Sequence, residues 1–280
     1  MNWKNLRLGY NTNGFAFHRL EDTFEILAEI GYQSVALTLD HPLLEAPDRR
    51  GIARAIDRIR LLMRDTGLTV TIEAGARFLL DPRRKHQPTL ISGSPAARER
   101  RIEFLRAAID IAAGIGAESV SLWSGAADDQ APFEEQWSRL RAGLRNLLDH
   151  ARSRNVRLSF EPEPGMLVER MSQFERLHGE LSDPLFGLTL DIGHVHCLQD
   201  GDVSDHIRQW RKSLWNVHIE DMREGRHEHL MFGEGEIDFP PILEALRRAN
   251  YAGPVHVELS RHSHDAVDVA RKAYTFLHSL

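Results

Sequence analysis

Four residues of metal-ligand type fall at or near the carboxyl ends of four successive apolar runs. Glu161 closes Leu158-Ser159-Phe160-Glu161-Pro162 and Asp191 closes Leu188-Thr189-Leu190-Asp191, while His218 lies in Asn216-Val217-His218-Ile219 and Glu258 in Val255-His256-Val257-Glu258-Leu259. If these runs are neighbouring parallel strands, two or three carboxylates and one imidazole converge on one side of the fold. Carboxylates a few Å apart repel, and their pKa values rise. A divalent cation removes that cost. Oxygen ligands with one nitrogen suit Mn²⁺, Mg²⁺, Co²⁺ or Zn²⁺, and the set does not choose among them. Singly, each residue has an ordinary explanation: Glu before Pro as a turn residue, Asp before Ile-Gly as a helix cap, a lone strand His as a satisfied core group. Equivalent positions on four successive strands make the metal site the stronger explanation.

The elements needed to position these groups are visible in the periodicity. Apolar or β-branched runs recur at Leu6–Thr12, Ser34–Asp40, Leu68–Glu73, Ser119–Trp123, Arg157–Glu161, Gly187–Asp191, Leu214–Ile219 and Val255–Leu259. Helix-patterned segments separate them, at Leu20–Ile30, Gly51–Thr66, Ala96–Gly114, Phe133–Ser153, Ser172–Leu181, Val203–Lys212, Pro240–Arg248 and Asp265–His278. Ile102, Leu105, Ala108, Ile109 and Ala112 fall three and four apart, as on one helix face. Gly31, Gly67 and Gly116 stand where left-handed residues end helices. Strands alternating with helices in this number predict an α/β fold, a single (β/α)8 TIM barrel, whose active site lies at the strand carboxyl ends. The open doubly wound alternative normally shows a Gly-rich turn after its first strand; here Asn11-Thr12-Asn13-Gly14-Phe15 carries one glycine. The longest stretch without periodicity is Gly75–Pro95.

A chain of 280 residues with 42% hydrophobic and 27% charged residues has ample material for one core, read as one domain over 1–280. No apolar run approaches the roughly 20 residues that span a bilayer. The first five residues lack the order of a secretory signal. The single cysteine, Cys197, excludes an internal disulfide and fits a reducing, cytoplasmic setting. A net charge of −6 gives no general attraction to nucleic acid or anionic membrane. Homo-oligomerisation is compatible with this composition.

Further candidates surround the four. His194 follows Asp191 by three residues, on the loop expected after the sixth strand, and Arg226-His227-Glu228-His229 falls in the loop expected after the seventh. His194 or His229 could bind a substrate hydroxyl, or both could help hold a second metal; His227 reads equally well as a solvated loop residue or as a ligand beside them, and His196 more simply as an ordinary polar residue. Arg77, Arg83, Arg84, Lys85 and His86 cluster after the third strand, and Arg77, nearest its end, is the better candidate for a substrate phosphate or carboxylate. Gly233-Glu234-Gly235-Glu236 is acidic and makes a poor phosphate cradle. Trp3, Phe15, Phe17, Trp123 and Trp215 are candidate pocket walls, with Phe15 preferred, and His18 and Glu73 fall near the mouth.

In Phe-Glu-Pro-Glu-Pro-Gly, Asp-Ile-Gly-His, Val-His-Ile-Glu-Asp and His-Leu-Met-Phe-Gly-Glu-Gly-Glu-Ile-Asp-Phe the chain resembles the xylose isomerase-like TIM-barrel family of sugar phosphate isomerases and epimerases. The resemblance implies one divalent metal on Glu161, Asp191, His218 and Glu258 and no organic cofactor. It also implies that Glu161 and Glu258 move protons on opposite faces of the substrate, and that His194 contacts a substrate oxygen. His229 matches a substrate-contacting position that is Arg in some ketose epimerases. Endonuclease IV-like enzymes share the fold and hold three zinc ions, but they need histidines from strands 3 and 4, where this chain has Ile72-Glu73-Ala74-Gly75 and Leu122-Trp123-Ser124-Gly125.

The chemistry that follows is metal-assisted proton abstraction beside a carbonyl, on a small sugar or cyclitol, with a carboxylate as base. Return of the proton to the same carbon gives epimerisation, to its neighbour isomerisation, and loss of the adjacent hydroxyl dehydration. A multi-zinc hydrolase of the endonuclease IV kind, a dehydratase on the same metal site and a non-catalytic binder are the competing readings.

Overall fold

The computed structural model describes residues 6–40, 43 and 48–280; Trp3 lies outside them. Eight strands carry the scaffold: β1 (Arg7–Asn11), β2 (Ser34–Thr38), β3 (Thr69–Glu73), β4 (Val120–Leu122), β5 (Leu158–Phe160), β6 (Phe186–Asp191), β7 (Leu214–Ile219) and β10 (Pro254–Val257). They close into a barrel in the order β1-β10-β7-β6-β5-β4-β3-β2. Its helices are α1 (Leu20–Ile30), α2 (Arg49–Thr66), α3 (Pro95–Ile115), α4 (Phe133–Arg154), α5 (Met171–Leu181), α6 (Ile192–Cys197), α7 (Val203–Trp210), α8 (Phe239–Arg248) and α9 (Ala266–Ser279). Two short strands, β8 (Asp221–Arg223) and β9 (Arg226–Leu230), pair antiparallel in the connection after β7. This is the (β/α)8 architecture that the periodicity predicts.

The strands are short and nearly continuous in apolar side chains because parallel barrel strands are covered on both faces; every residue of β6 is buried. Helix boundaries follow local chemistry. Ser94 caps α3 by accepting from Ala97 N, Pro95 occupies its first turn, and Gly116 ends it with φ 70°. Gly31 closes α1 at φ 113°, a value that disfavours a side chain. Ile102, Leu105, Ala108, Ile109 and Ala112 are all buried, as their spacing predicts.

The packing separates two compact units: Met1–Leu37, Leu62–Thr71 and Leu188–Leu280 form the first, Thr38–Leu61 and Ile72–Gly187 the second. The first contains β1, β7, β10 and the β8–β9 hairpin, and the second contains β4, β5 and helices α3 to α5. No helix among the described residues is long and apolar enough to cross a membrane.

Three sequence expectations are corrected. His194, expected on a loop after β6, lies on α6, which starts directly at the strand end because Asp191 caps it. The segment after β7, expected as a loop, is the β8–β9 hairpin. Glu161 and Glu258 stand one residue beyond β5 and β10 rather than inside them.

Candidate active site

The centre of the site is in the first unit, at the carboxyl ends of β6, β7 and β10. Register sets it up: Asp191 stands opposite His218 across β6 and β7, and His256 opposite His218 across β10 and β7. Asp191 divides its two oxygens. Oδ1 accepts from the backbone N–H of His194 at 2.8 Å and so begins α6. Oδ2 is buried without a hydrogen-bond partner, 3.5 Å from His194 Nε2 and 3.9 Å from His218 Nδ1. His218 Nδ1 lies 2.8 Å from Glu258 Oε2. The other Glu258 oxygen accepts from Asn13 Nδ2 at 2.7 Å. Asp191, His218 and Glu258 thus each offer one ligand-type atom within 4.8 Å of the others.

A further acid stands among them. Glu220 directly follows β7, is 0% exposed, and has neither oxygen hydrogen-bonded; its Oε2 is 3.9 Å from His229 Nδ1. A Cβ at Gly193 would overlap Glu220 Oε1 and Met222 Cε, so the first turn of α6 must be bare for this acid to fit. The charges sort themselves accordingly. Burial, reinforced by the charges of Asp191 and Glu258, raises the Glu220 carboxyl well above the carboxylate range. Burial also opposes ionisation of Asp191 and Glu258, but the surrounding imidazoles outweigh it: His194 and His229 lead for Asp191, His218 for Glu258, and both carboxyls lie below their usual values. One carboxylic acid thus keeps its proton beside two carboxylates.

Three histidines form the adjoining wall. His227 and His229 alternate along β9, and His227 Nε2 lies 3.1 Å from His194 Nε2. One ring nitrogen each of His194, His227 and His229 falls within 4.8 Å of the others. Burial, then the neighbouring rings of His194 and His229, lower the His227 pKa to about 4. The hairpin is held by Asp221, whose carboxylate accepts from the backbone N–H groups of Met222, Gly233, Gly235 and Ile237. The glycine amides of the Gly233–Glu236 loop are therefore engaged by the protein itself.

The other predicted residues are distributed as follows. Glu161, in the second unit, directly follows β5, which stands beside β6 in the barrel order; it is 4% exposed. Arg77, also in the second unit, donates from Nε to Asp40 Oδ2 at 2.8 Å, which commits that edge of its guanidinium. Phe15 ends a 3-10 turn and packs edge-on against Tyr10 and His18. Phe17 points to solvent at 79% exposure. Trp123 is buried with Arg101 over its ring, a core arrangement. His196 Nε2 lies 3.9 Å from the exposed Glu236. Sequence reasoning missed Asn13 and Glu220. The Glu220 signal was present: it stands two residues after His218, and alternate residues of an extended strand share a face. Asn13 had none beyond its place on the first loop.

A closed parallel barrel with acids and imidazoles gathered at strand carboxyl ends defines a class of α/β enzyme scaffold. Residues 24–280 match the xylose isomerase-like TIM-barrel family, and the chain belongs to it. It is 29% identical over 170 residues to an L-ribulose-5-phosphate 3-epimerase, UlaE, of Shigella flexneri serotype 5b, an alignment covering 61% of this chain and 60% of that protein. The chain thus spans about three fifths of the length of the curated relatives it matches. Among solved structures it is similar to 3-keto-D-glucoside 4-epimerase, YcjR, of E. coli, with TM-score 0.79 and 17% identity over 98% of this chain and all of that one. It is also similar to the IolI protein with a bound zinc atom, with TM-score 0.76 and 17% identity over 97% and 96% of the two chains. At these identities the solved structures establish the shared fold.

Proposed function

We propose that this chain is a divalent-cation-dependent isomerase or epimerase that moves a proton beside the carbonyl of a small sugar or cyclitol. The observation that carries the reading is the buried Asp191 oxygen without a hydrogen-bond partner, set beside the buried Glu220 carboxyl and within ligand distance of the His218 and Glu258 donors. Such donors fit a cation. Asp191, His218 and Glu258 offer ligand-type atoms compact enough for one ion of Mn²⁺, Mg²⁺, Co²⁺ or Zn²⁺, and Glu161 is proposed as the fourth ligand. The epimerases among the relatives support a sugar substrate, and the zinc of the IolI structure supports a metal.

When bound, the cation supplies Lewis-acid polarisation of a substrate carbonyl. Glu161 and Glu258 take and return the proton, each from its own strand end. Asn13 holds one Glu258 oxygen, so that the other keeps a fixed direction. His194 and His229 donate to a substrate oxygen that gains negative charge. Phe15 contributes an apolar wall, and Arg77 is proposed to meet an anionic substituent with the part of its guanidinium that Asp40 leaves. No organic cofactor and no nucleic acid enters this reaction. Cys197 is buried, and a single cysteine fits a cytoplasmic setting. We propose that both units fold together as one domain.

The test is solvent deuterium incorporation into a panel of ketoses and inososes, with Mn²⁺ added and after chelation. Cation-dependent exchange at a carbon beside the carbonyl is expected. No exchange on any panel member in the metal-loaded protein would count against the enzyme reading; loss of the adjacent hydroxyl would redirect it to a dehydratase. The approach of His227 and His194 also favours a second reading, a multi-zinc hydrolase. Metal content separates them: one ion per chain supports the isomerase, about three the hydrolase.

A further inference from the structure

Behind His218 a row of buried polar groups crosses four strands. His218 on β7 stands opposite His256 on β10, His256 opposite Gly9 on β1, and Gly9 opposite Ser34 on β2. Gly9 gives the row its room, since a Cβ there would overlap the His256 ring. Hydrogen bonds run along the row: Ser34 Oγ to His256 Nε2 at 3.0 Å, His256 Nδ1 to Asn216 Oδ1 at 2.8 Å, and Asn216 Nδ2 to His218 Nε2 at 3.1 Å. Ser34, His256 and Asn216 are each 0% exposed. Buried polar groups cost free energy unless satisfied, and in this row each is satisfied by the next, ending on His218.

The placing of the Asn216 amide gives this chain a direction. Its Nδ2 faces His218 Nε2, and a neutral His218 ring then carries its hydrogen on Nδ1, towards Glu258. Asn216 Oδ1 faces His256 Nδ1, so His256 carries its hydrogen there, and the Ser34 hydroxyl has two acceptors in reach, His256 Nε2 at 3.0 Å and the Thr69 carbonyl at 3.3 Å. With the amide so placed, the nitrogen that faces Asp191 and Glu258 is the one that carries the hydrogen.

We propose that Asn216, His256 and Ser34 are positioning residues for His218, and that their hydrogen-bond chain reverses direction when His218 Nδ1 is given to a divalent cation. The inference rests on the cation site proposed above. A ligating nitrogen must present a lone pair, so the His218 hydrogen has to reside on Nε2. Nε2–H then needs an acceptor, which Asn216 provides by turning its amide and presenting Oδ1. Its Nδ2 now donates to His256 Nδ1, and the His256 hydrogen moves to Nε2 and is donated to Ser34 Oγ. The Ser34 hydroxyl donates in turn to the Thr69 carbonyl, 3.3 Å away. Each ring carries one hydrogen before and after, so the reversal changes no net charge. An amide between two imidazoles serves both directions because it both donates and accepts. A carboxylate at that place can only accept.

The experiment is ¹⁵N NMR of the histidine rings with and without Zn²⁺, combined with calorimetric Zn²⁺ titration of the wild type, Asn216→Asp and Asn216→Leu. In the wild type, Zn²⁺ is expected to move the His256 hydrogen from Nδ1 to Nε2. Asn216→Leu should weaken Zn²⁺ binding about 10–100-fold. Asn216→Asp should bind Zn²⁺ at least as tightly as the wild type, with the His256 hydrogen held on Nδ1 in both states. Zn²⁺ binding to the wild type with an unmoved His256 hydrogen overturns the relay and leaves the cation site standing. Failure of the wild type to bind Zn²⁺ overturns both. The wild-type spectra decide the matter even if Asn216→Leu does not fold.

Discussion

Around α4 and α5, in the second unit, Arg176 pairs with Glu134 and Glu180, while Arg141 and the indole N–H of Trp137 also reach Glu180. Arg176 lies over the Trp137 ring at 4.3 Å. Opposite charges are matched there, at a partly solvated surface. At the ends of β6, β7 and β10 the pattern is reversed. Asp191, Glu220 and Glu258 are sequestered, and their partners among the described residues are imidazoles and amides rather than Arg or Lys. The helix cluster closes on itself and serves stability. The strand-end cluster leaves Asp191 Oδ2 buried without a hydrogen-bond partner, which fits the cation proposed above.

Substitution at the strand ends should have the largest effects. Glu161→Gln and Glu258→Gln are each expected to abolish turnover while the fold survives, since an amide cannot accept the substrate proton. Near-normal rates with circular dichroism unchanged would remove that glutamate from proton transfer. His194→Ala and His229→Ala come next, with a loss of about 10²–10³ in kcat/KM, the usual effect of deleting one donor to a developing oxyanion. Metal per chain, measured on the purified variants, should stay at parity with the wild type; a drop on either would make these rings ligands. Adding Mn²⁺ should then raise Tm, because a ligand of the native state stabilises it by mass action. A melting curve indifferent to Mn²⁺ would place the strand-end cluster in the same self-satisfied class as the helix cluster.

The smallest effect belongs to the helices. Hydrogen bonds from Trp137 and then Arg176 lower the Glu180 pKa to about 2, from an ordinary 4.5. A depressed folded pKa contributes stability above the unfolded value, which is lost as pH falls through the folded one. Glu180→Gln should therefore cost at most about 1 kcal/mol, given solvent screening. The deficit should shrink as the pH falls from about 4.5 towards 2, as read by urea denaturation. Any change in Zn²⁺ or Mn²⁺ affinity in this variant would blur the contrast between the clusters.

The barrel was legible because its strands are apolar on both faces and its helices repeat at three and four residues. The strand boundaries at Leu214–Ile219 and the helix at Leu20–Ile30 fell where the pattern placed them. Helix α6 was not legible: six residues hold too few turns for a period to show, and its start depends on one aspartate side chain. The β8–β9 hairpin escaped because Arg226-His227-Glu228-His229 alternates polar with polar, and its anchor, Asp221, acts on amides up to sixteen residues away. Glu220 read as one acid among several in the sequence. Its role depends on burial, which a polar letter conceals.

The bare α-carbon of Gly193 has a consequence for how this site can change over generations. Because a methyl group there would occupy the space of the Glu220 carboxyl, position 193 is not free to vary while that acid stands. A descendant that acquires a side chain at 193 must first shorten or redirect residue 220, and with it give up the buried proton. The two positions, 27 apart in the chain, are thus a single inherited character. Aligned relatives should show glycine at 193 wherever 220 is long, and a larger residue at 193 only where 220 is short.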